Sequence, residues 1–428
     1  MVPGPCLAAP PPPEITLKLK PVVPGSALAA LITMLGCSPG APSPSAPEGT
    51  KELRIVAHED DDLLFMNPDL AESIEAGRPV RTVFVTAGDA GKDASYWRGR
   101  ESGILEAYAK MAGVPDDWET GALRVAGRTV ELRTLTSAPQ VSLVFLRLPD
   151  GNGHGAGFSA TDFESLAKLW NKSLDTLHPL DGSPGYTKKE LVRMLLALMT
   201  EFHAQIIDTQ DYTGHFAGDH SDHITAAHFA HAAERRYRPP HATRVYRGYN
   251  QLREPQNLIA SQQGLKERVF LAYASHDLQL CAPGAACKAR ADYPAFLGRQ
   301  YPYIPGSLLG PGGKCLESSG RRVVMRTCRD HPAQQWSLKG GRIESALGGC
   351  LTVEEQSDAI PVEVTLSACT GDAQQAFALG RDGHLQMADG SCATLAAGGP
   401  AHGPEIFGAV CGSTPSQTWR LYPADRPR

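Results

Sequence analysis

The chain has no basic block. Lys and Arg total 41 against 46 acids, a formal charge of −5, so it carries no electrostatic footprint for a nucleic-acid backbone, and no nucleic-acid partner is expected. Its cysteines also lack CxxC spacing with neighbouring histidines, which argues against a structural zinc site. The apolar stretch at residues 22–35 is too short to remain in a bilayer as a spanning helix. What is present is ample core material, 42% hydrophobic residues, punctuated by 43 glycines and 34 prolines. That mixture points to many turns and irregular joins, and 428 residues exceed what one core usually holds. Two domains behind a leader are expected.

The leader has the order of an export signal. Lys18 and Lys20 precede the apolar stretch, which ends in Met34-Leu35-Gly36-Cys37 and runs into SPGAPSPSAPEG. A cysteine just after Leu-Gly resembles a bacterial lipoprotein cleavage site, with Cys37 as the lipid-bearing residue, although Met34 stands where leucine is usual. Residues 1–17, with their PPPP run, sit awkwardly upstream of such a signal, so translation is expected to start further in. The expected organisation is a leader and signal at 1–37, a flexible linker at 38–50, one domain at 51–300 and another at 306–428. The protein is thus expected to be secreted or extracytoplasmic, with a membrane anchor if Cys37 is lipidated.

Residues from about 306 onward repeat. The units read GGKCLESS…RTCRDHPAQQW, GGCLTVEE…SACTGDAQQAF and GSCATLAA…AVCGSTPSQTW. Their anchors Gln334/Trp336, Gln375/Phe377 and Gln417/Trp419 recur after 41 and 42 residues. Short apolar segments, turn glycines and no helical stretch read as threefold repetition of small β units around one core, with one aromatic plug from each. One cysteine falls early and one late in each unit, so Cys315–Cys328, Cys350–Cys369 and Cys392–Cys411 are the natural pairs. An even set of this kind suits an oxidising compartment. The Cys-Leu starts and Gln-x-Trp ends resemble the ricin-type β-trefoil, which implies shallow sugar pockets, one per repeat. Those pockets usually hold an Asp two residues after the first cysteine; here the positions carry Glu317, Thr352 and Thr394. Glu317 keeps the acceptor and the threonines offer only a hydroxyl, so the first repeat is the expected sugar site.

Residues 51–300 alternate strand and helix signals. Strands are expected at 53–57 (LRIVA), 81–86 (RTVFVT), 141–146, 204–208 (AQIID) and 269–273 (VFLAY). Helices are expected at 100–112, 162–170, 188–202 and 223–237. The third is clearest: Thr187 and Glu190 form a capping-box signature, and Leu191, Leu195, Leu198 and Phe202 return on one face. The fold class is therefore α/β, a Rossmann-like, mostly parallel sheet sandwiched by helices, followed by the all-β trefoil. Functional residues should sit at the carboxyl ends of the strands.

The first strand runs directly into His58-Glu59-Asp60-Asp61-Asp62. Three acids at a helix start can be no more than favourable charge beside the helix dipole, but a histidine with a carboxylate three residues on also places two metal-ligand types on one side of a turn. Asp219-His220-Ser221-Asp222-His223 follows the strand ending at Asp208. His58, Asp61 and a histidine from this cluster make a two-nitrogen, one-oxygen set that leaves room for water and a substrate carbonyl. His228 and His231, further along that helix, read as surface or packing residues.

Together these segments resemble the PIG-L/LmbE family of zinc-dependent amidases that deacetylate N-acetylglucosamine conjugates. Ala57-His58-Glu59-Asp60-Asp61 stands for the family's Ala-His-Pro-Asp-Asp, and His220-Ser221-Asp222-His223 for its His-Pro-Asp-His; Thr86-Ala87-Gly88-Asp89 and Arg100-Glu101 also match. The resemblance implies one catalytic Zn2+, or another divalent ion, on His58, Asp61 and His223. It implies Asp60 as general base and His220 as oxyanion or leaving-group partner, with Asp222 orienting His220 and favouring its charged form. Asp89 and Arg100 would touch sugar substituents, as would Glu317 in the trefoil. Glu59 and Ser221 replace the family's prolines; Glu59 adds a charge, and Ser221 can serve as an N-cap.

The expected function is hydrolysis of the N-acetyl amide of an N-acetylamino sugar in an extracellular or envelope glycan. The alternatives are a deacylase acting on a glycolipid or glycosylated natural product, and a non-catalytic carbohydrate-binding protein.

Overall fold

A computed structural model describes residues 49–212, 218–281, 293–311, 314–326, 328, 331–354, 363–380, 382–396 and 406–422. The signal-like segment, including Cys37, lies outside these residues. Among them, no helix is long and apolar enough to cross a membrane.

The first half builds one eight-stranded sheet. Its strands are β1 (Glu52–Val56), β2 (Val80–Thr86), β3 (Trp118–Val125), β4 (Arg128–Leu135), β5 (Val141–Leu148), β8 (Ile206–Gln210), β9 (Ala242–Tyr246) and β10 (Pro302–Tyr303); β6 (Thr176–Leu177) and β7 (Tyr186–Thr187) form a separate pair. The order is β10-β9-β8-β1-β2-β5-β4-β3, with β9, β8, β1, β2 and β5 parallel and the edges antiparallel. β1 and β2 are buried along their whole length, as expected of strands covered on both faces.

Helices α1 (Asp69–Glu75), α2 (Ala94–Ala112), α6 (Ala260–Ala274) and α7 (Pro294–Leu297) share one apolar cluster with Val56, Phe84 and Phe145. Helices α3 (Leu166–Asn171), α4 (Lys188–Phe202) and α5 (Ser221–Glu234) share another with Ile55, Val83 and Val144. The alternation of β1, β2 and β5 side chains between these clusters makes the sandwich. β1 has β2 on one side and β8 on the other, so chain order reverses between β1 and β8. That reversal opens a crevice at the strands' carboxyl ends, where His58 and the Asp219–His223 cluster emerge.

α4 has the expected bounds, and both halves of the Thr187/Glu190 capping box are formed. The segment at 269–273 is not a strand. It ends α6, where Val269, Phe270 and Tyr273 are buried against α2. A five-residue apolar run has the same appearance in a buried strand and in the buried turn of a helix, and the preceding SQQGLKER supplies the helix length. The β3–β4 hairpin was not expected; its two-residue turn takes positive φ at Ala126 (52°) and Gly127 (76°), which suits the twist of the flanking strands.

α6 also buries Lys266 completely, its Nζ donating to the carbonyls of Phe296 (3.1 Å) and Arg299 (2.5 Å). Burial pushes its pKa from 10.5 down to about 7. Between about pH 7 and 10.5 the unfolded chain therefore holds a proton that the folded chain releases, and stability rises with pH by up to about 1.4 kcal/mol per unit. Lys266→Met should remove this slope. Thermal melts from pH 7 to 10 should show the variant's relative advantage shrinking as pH rises; a pH-independent difference would contradict the depressed lysine.

The second half is a twelve-stranded antiparallel sheet drawn from strands between Leu308 and Leu421. Trp336, Phe377 and Trp419, the three repeat anchors, are buried in one cluster with Leu316, Leu351 and Ala393. The cysteines pair as Cys315–Cys328, Cys350–Cys369 and Cys392–Cys411. Each repeat glutamine is likewise buried, and its amide nitrogen donates to the residue two after the first cysteine: Gln334 to Glu317 (2.9 Å), Gln375 to Thr352 (3.1 Å) and Gln417 to Thr394 (2.9 Å).

Candidate metal centre

β1 ends by turning its chain over itself. The Asp61 carboxylate accepts the His58 N–H at 2.6 Å, Gln210 from β8 accepts the Ala57 N–H at 3.0 Å, and a short π-helical turn, Asp62–Met66, follows. Irregular helical turns of this kind concentrate where side chains must be aimed rather than packed. His58, Asp60 and Asp61 are all nearly sealed from solvent.

α5 brings the second cluster to the same place. His223 Nε2 lies 2.9 Å from one Asp61 oxygen, and His58 Nδ1 lies 3.3 Å from the other. The far nitrogens face carboxylates as well: His223 Nδ1 meets Asp219 at 2.8 Å and His58 Nε2 lies 3.4 Å from Asp222. Each histidine thus has one nitrogen turned to a shared centre and one to a buried acid, the arrangement in which an outer carboxylate fixes ring orientation and raises ligand basicity. His223 Nε2 makes no hydrogen bond despite its closeness to Asp61. A buried nitrogen and carboxylate in contact without a well-aligned bond are what a divalent cation would satisfy, so the donor set fits a metal. His58, His220 and His223 also offer nitrogens within 4.8 Å of one another, as do His58, Asp150 and Asp222 their ligand atoms. The grouping of Glu344 with Cys350 and Cys369 is different, because both cysteines are spent in one disulfide.

His220 caps α5 instead of Ser221: its Nδ1 accepts the Asp222 N–H at 3.1 Å. That bond leaves Nε2 to carry the proton of the neutral ring. Burial, with His58 and His223 nearby, pushes the His220 pKa from 6.5 to about 3. The expected pairing of Asp222 with a charged His220 is not what the structure has. The Asp222 carboxylate instead accepts the Gly151 N–H at 2.7 Å and faces His58, because the α5 turn aims it inward under the ring.

Arg100 and Asp89 are both bonded within the protein. Arg100 Nη2 donates to Asp60 at 2.7 Å, Nη1 to the Gly88 carbonyl at 2.6 Å and Nε to the Tyr273 hydroxyl at 2.6 Å. It lines the cleft and also holds Asp60. Gly88 is required where it stands: at φ 51°, a Cβ there would lie 2.1 Å from Arg100 Nη1. Asp89 is fully buried, and its oxygens accept the Asp150 and Gly91 N–H groups at 2.7 and 2.9 Å. It anchors loops rather than facing the cleft. Glu59 is sealed as well, with neither oxygen hydrogen-bonded, and burial raises its pKa to about 8. The substitution for proline therefore places a carboxyl in the interior, 3.6 Å from Arg100 Nε, rather than a charge at the surface.

A cleft of about 120 Å³ opens onto His58, Asp60, Asp150 and His220, with Tyr96, Tyr249, Tyr293 and Leu280 among its walls. Burial raises Asp60 above the ordinary carboxylate range despite the opposing pull of Arg100. Asp150, Asp219, Tyr249 and Asp277 had no role in the sequence reading. Asp219 stands inside the quoted cluster, and its i,i+4 spacing from His223 is a signal that could have found it. Asp150 and Asp277 lie on loops and Tyr249 opens a short 3-10 helix, Tyr249–Arg253, and only the fold brings them together. Glu317 belongs to the trefoil and lies in its first repeat. His228 and His231 are packing residues, stacked on Trp170 and Tyr212.

Two stretches of the chain match known families. Residues 53–234 match the family described as GlcNAc-PI de-N-acetylase (PIG-L), and residues 339–426 match the ricin-type β-trefoil lectin domain. No curated protein matches the chain. Among solved structures, a conserved protein of Thermus thermophilus is similar at 17% identity, covering 52% of this chain and 78% of that one, TM-score 0.31. The agglutinin of Abrus precatorius is similar at 21% identity, covering 27% of this chain, TM-score 0.25, and the match spans 46% of the agglutinin's own length. The C-terminal half of an earthworm R-type lectin, solved with GalNAc, is similar at 12% identity over 27% of this chain and 98% of that one, TM-score 0.23. The chain thus contains a PIG-L family domain at 53–234, with His and Asp residues placed to hold a metal, joined to a C-terminal ricin-type β-trefoil.

Proposed function

We propose that this protein hydrolyses the N-acetyl amide of an N-acetylamino sugar within an extracellular or envelope glycan. The observation that carries the reading is the pair of histidines, each turned to Asp61 on one side and to a buried carboxylate on the other, beside a separately held Asp60. His58, Asp61 and His223 would hold the ion, which we take to be zinc. A bound divalent cation supplies Lewis acidity, polarising the acetamide carbonyl and making water easier to deprotonate.

The chain's own groups do the rest. Asp60, its Oδ1 tied to Arg100, takes the proton from the attacking water as oxygen adds to the carbonyl carbon. His220, capped so that its neutral ring donates through Nε2–H, hydrogen-bonds the developing oxyanion without needing a second proton. When the C–N bond breaks, the proton held on Asp60 passes to the leaving nitrogen, giving acetate and a free amine. Asp222 keeps the His58 ring oriented, and the tyrosine faces of the cleft suit the apolar face of a pyranose. The domain divisions at 51–300 and 306–428 are part of this proposal.

The three disulfides of the trefoil support a place outside the reducing cytosol, reached through the signal-like segment with or without a lipid on Cys37. The trefoil would hold the protein near polymer through its first repeat, where Glu317 presents a carboxylate and the other repeats present hydroxyls. One experiment addresses both halves. The zinc-loaded full chain, given N-acetylglucosamine oligomers, should release acetate and new amines in equal amounts. On an array of immobilised glycans it should be retained, and Glu317→Ala should abolish retention while leaving hydrolysis of short oligomers intact. No acetate would remove the amidase reading, and a blank array would reduce the trefoil to a spacer.

A further inference from the structure

The last trefoil strand reaches into the other domain. Arg420–Leu421 pairs with Leu308–Leu309 to close the trefoil, and Arg420 Nη2 donates to Glu254 of the catalytic half. Glu254 in turn accepts from Arg247 Nη1 at 2.5 Å. Arg247, almost completely buried at the end of β9, grips the turn that follows: its Nε donates to the Asn250 side chain at 3.1 Å and its Nη2 to the Asn250 carbonyl at 2.8 Å. That turn carries Tyr249, whose N–H donates at 3.0 Å to the same Asp219 oxygen that meets His223 Nδ1. The fit is tight at its centre, where a Cβ on Gly248 would lie 2.3 Å from Asp219 Oδ2. The Tyr249 ring stands 4.9 Å from that of His223.

A second contact runs alongside. Tyr422 stacks on Tyr303 with ring centres 3.9 Å apart, and the Tyr303 hydroxyl donates to Asp211, just beyond β8 on the chain that leads to Asp219. The Arg420 contact thus leads to the turn whose Tyr249 N–H donates to Asp219, the carboxylate behind His223.

We infer that Arg420 of the trefoil is a positioning residue for the metal centre, acting through Glu254, Arg247 and the 249–253 turn to fix the Asp219 carboxylate behind His223. The trefoil is then a strut of the site as well as a sugar-binding module. The inference rests on His223 being a metal ligand, as proposed above. Its physical basis is that carboxylates behind metal histidines set ring orientation and ligand basicity, and their loss costs about 10–100-fold in affinity or activity.

The test uses the full chain. Arg420→Met should weaken zinc affinity, measured by competition with a coloured chelator, by roughly tenfold, the lower end of that range because the residue acts at a distance. On oligomers, kcat should fall by a similar factor with KM little changed, and Arg420→Lys should recover part of both. Arg321→Met, which breaks an exposed trefoil ion pair with Glu354, is the control and should change neither. Glu254→Gln approaches the same link from the catalytic side and replaces Arg420→Met if that variant does not fold. A folded Arg420→Met or Glu254→Gln protein with native zinc affinity would overturn the inference. If the native chain released no acetate, the proposed reaction would fail, while the zinc measurement would still decide the role of Arg420.

Discussion

Asp60→Asn should lower kcat for acetamide hydrolysis by about two to four orders of magnitude, the range general-base catalysis supplies, with zinc content unchanged. The substitution keeps the size of the side chain and an oxygen for Arg100 Nη2, so the cleft should hold its shape. It removes the ability to accept a proton. Asp60 is well placed to act as a base, because burial raises its affinity for a proton while Arg100, 2.7 Å away, pulls in the opposite direction and favours the carboxylate. Arg100 would still face Asp277 and the Tyr273 hydroxyl in the variant, which limits collateral change. His223→Ala is the complementary case, because it removes a ligand nitrogen; it should lose metal and activity together. Metal content by atomic absorption and acetate release by an enzymatic assay separate the two. An Asp60→Asn protein with undiminished turnover would remove Asp60 as the base.

How much of this site is legible in the sequence depends on how far apart its parts lie. His58, Asp60 and Asp61 follow one strand, and His220 and His223 open one helix, so short segments at the carboxyl ends of β1 and β8 display them together. The bonds of Arg100 and the burial of Asp89 are not legible in the sequence, because their partners come from elsewhere in the chain. Arg100 is held by Tyr273, 173 residues away, and Asp89 by the backbone of Asp150, 61 residues away. A buried charge and a substrate-facing charge look alike in sequence, and only burial and partners distinguish them. The same limit explains Glu59, which reads as an added charge until its lack of hydrogen-bond partners and its burial are known. The trefoil was far more transparent. Repetition displays the cysteine pairing and the aromatic anchors three times over, so each unit corroborates the next. The α6 segment failed for the opposite reason: VFLAY is one short run without a period of its own.

Beneath the site, β1 carries a second set of charges that sequence patterning gives no reason to expect, and Arg54→Met should expose its importance by destabilising the protein by about 3 kcal/mol. Arg54 and its partners are fully enclosed: Nη2 lies 2.7 Å from Glu52 and 3.4 Å from Asp208, with no side-chain exposure on any of the three. Arg244 also holds Asp208 at 2.7 Å and Glu52 at 3.2 Å, and Arg78 holds Glu52 at 3.1 Å. Removing Arg54 therefore leaves two acids under-compensated rather than bare, which places the cost at the lower end of the range for broken buried pairs. Glu52 records the strength of the network. Burial alone would raise its pKa, yet Arg54 and Arg244 bring it from 4.5 down to about 2. A carboxylate depressed in this way contributes stability that is present above pH 4.5 and is lost as pH falls towards 2. The cost of Arg54→Met should accordingly be largest near neutral pH and shrink on acidification through that window. Urea unfolding at pH 7 and pH 3.5 measures both values. The double variant with Glu52→Leu should cost less than the sum of the single changes, since it removes the stranded charge along with its partner. Strict additivity would mean that Arg54 and Glu52 do not act as a pair.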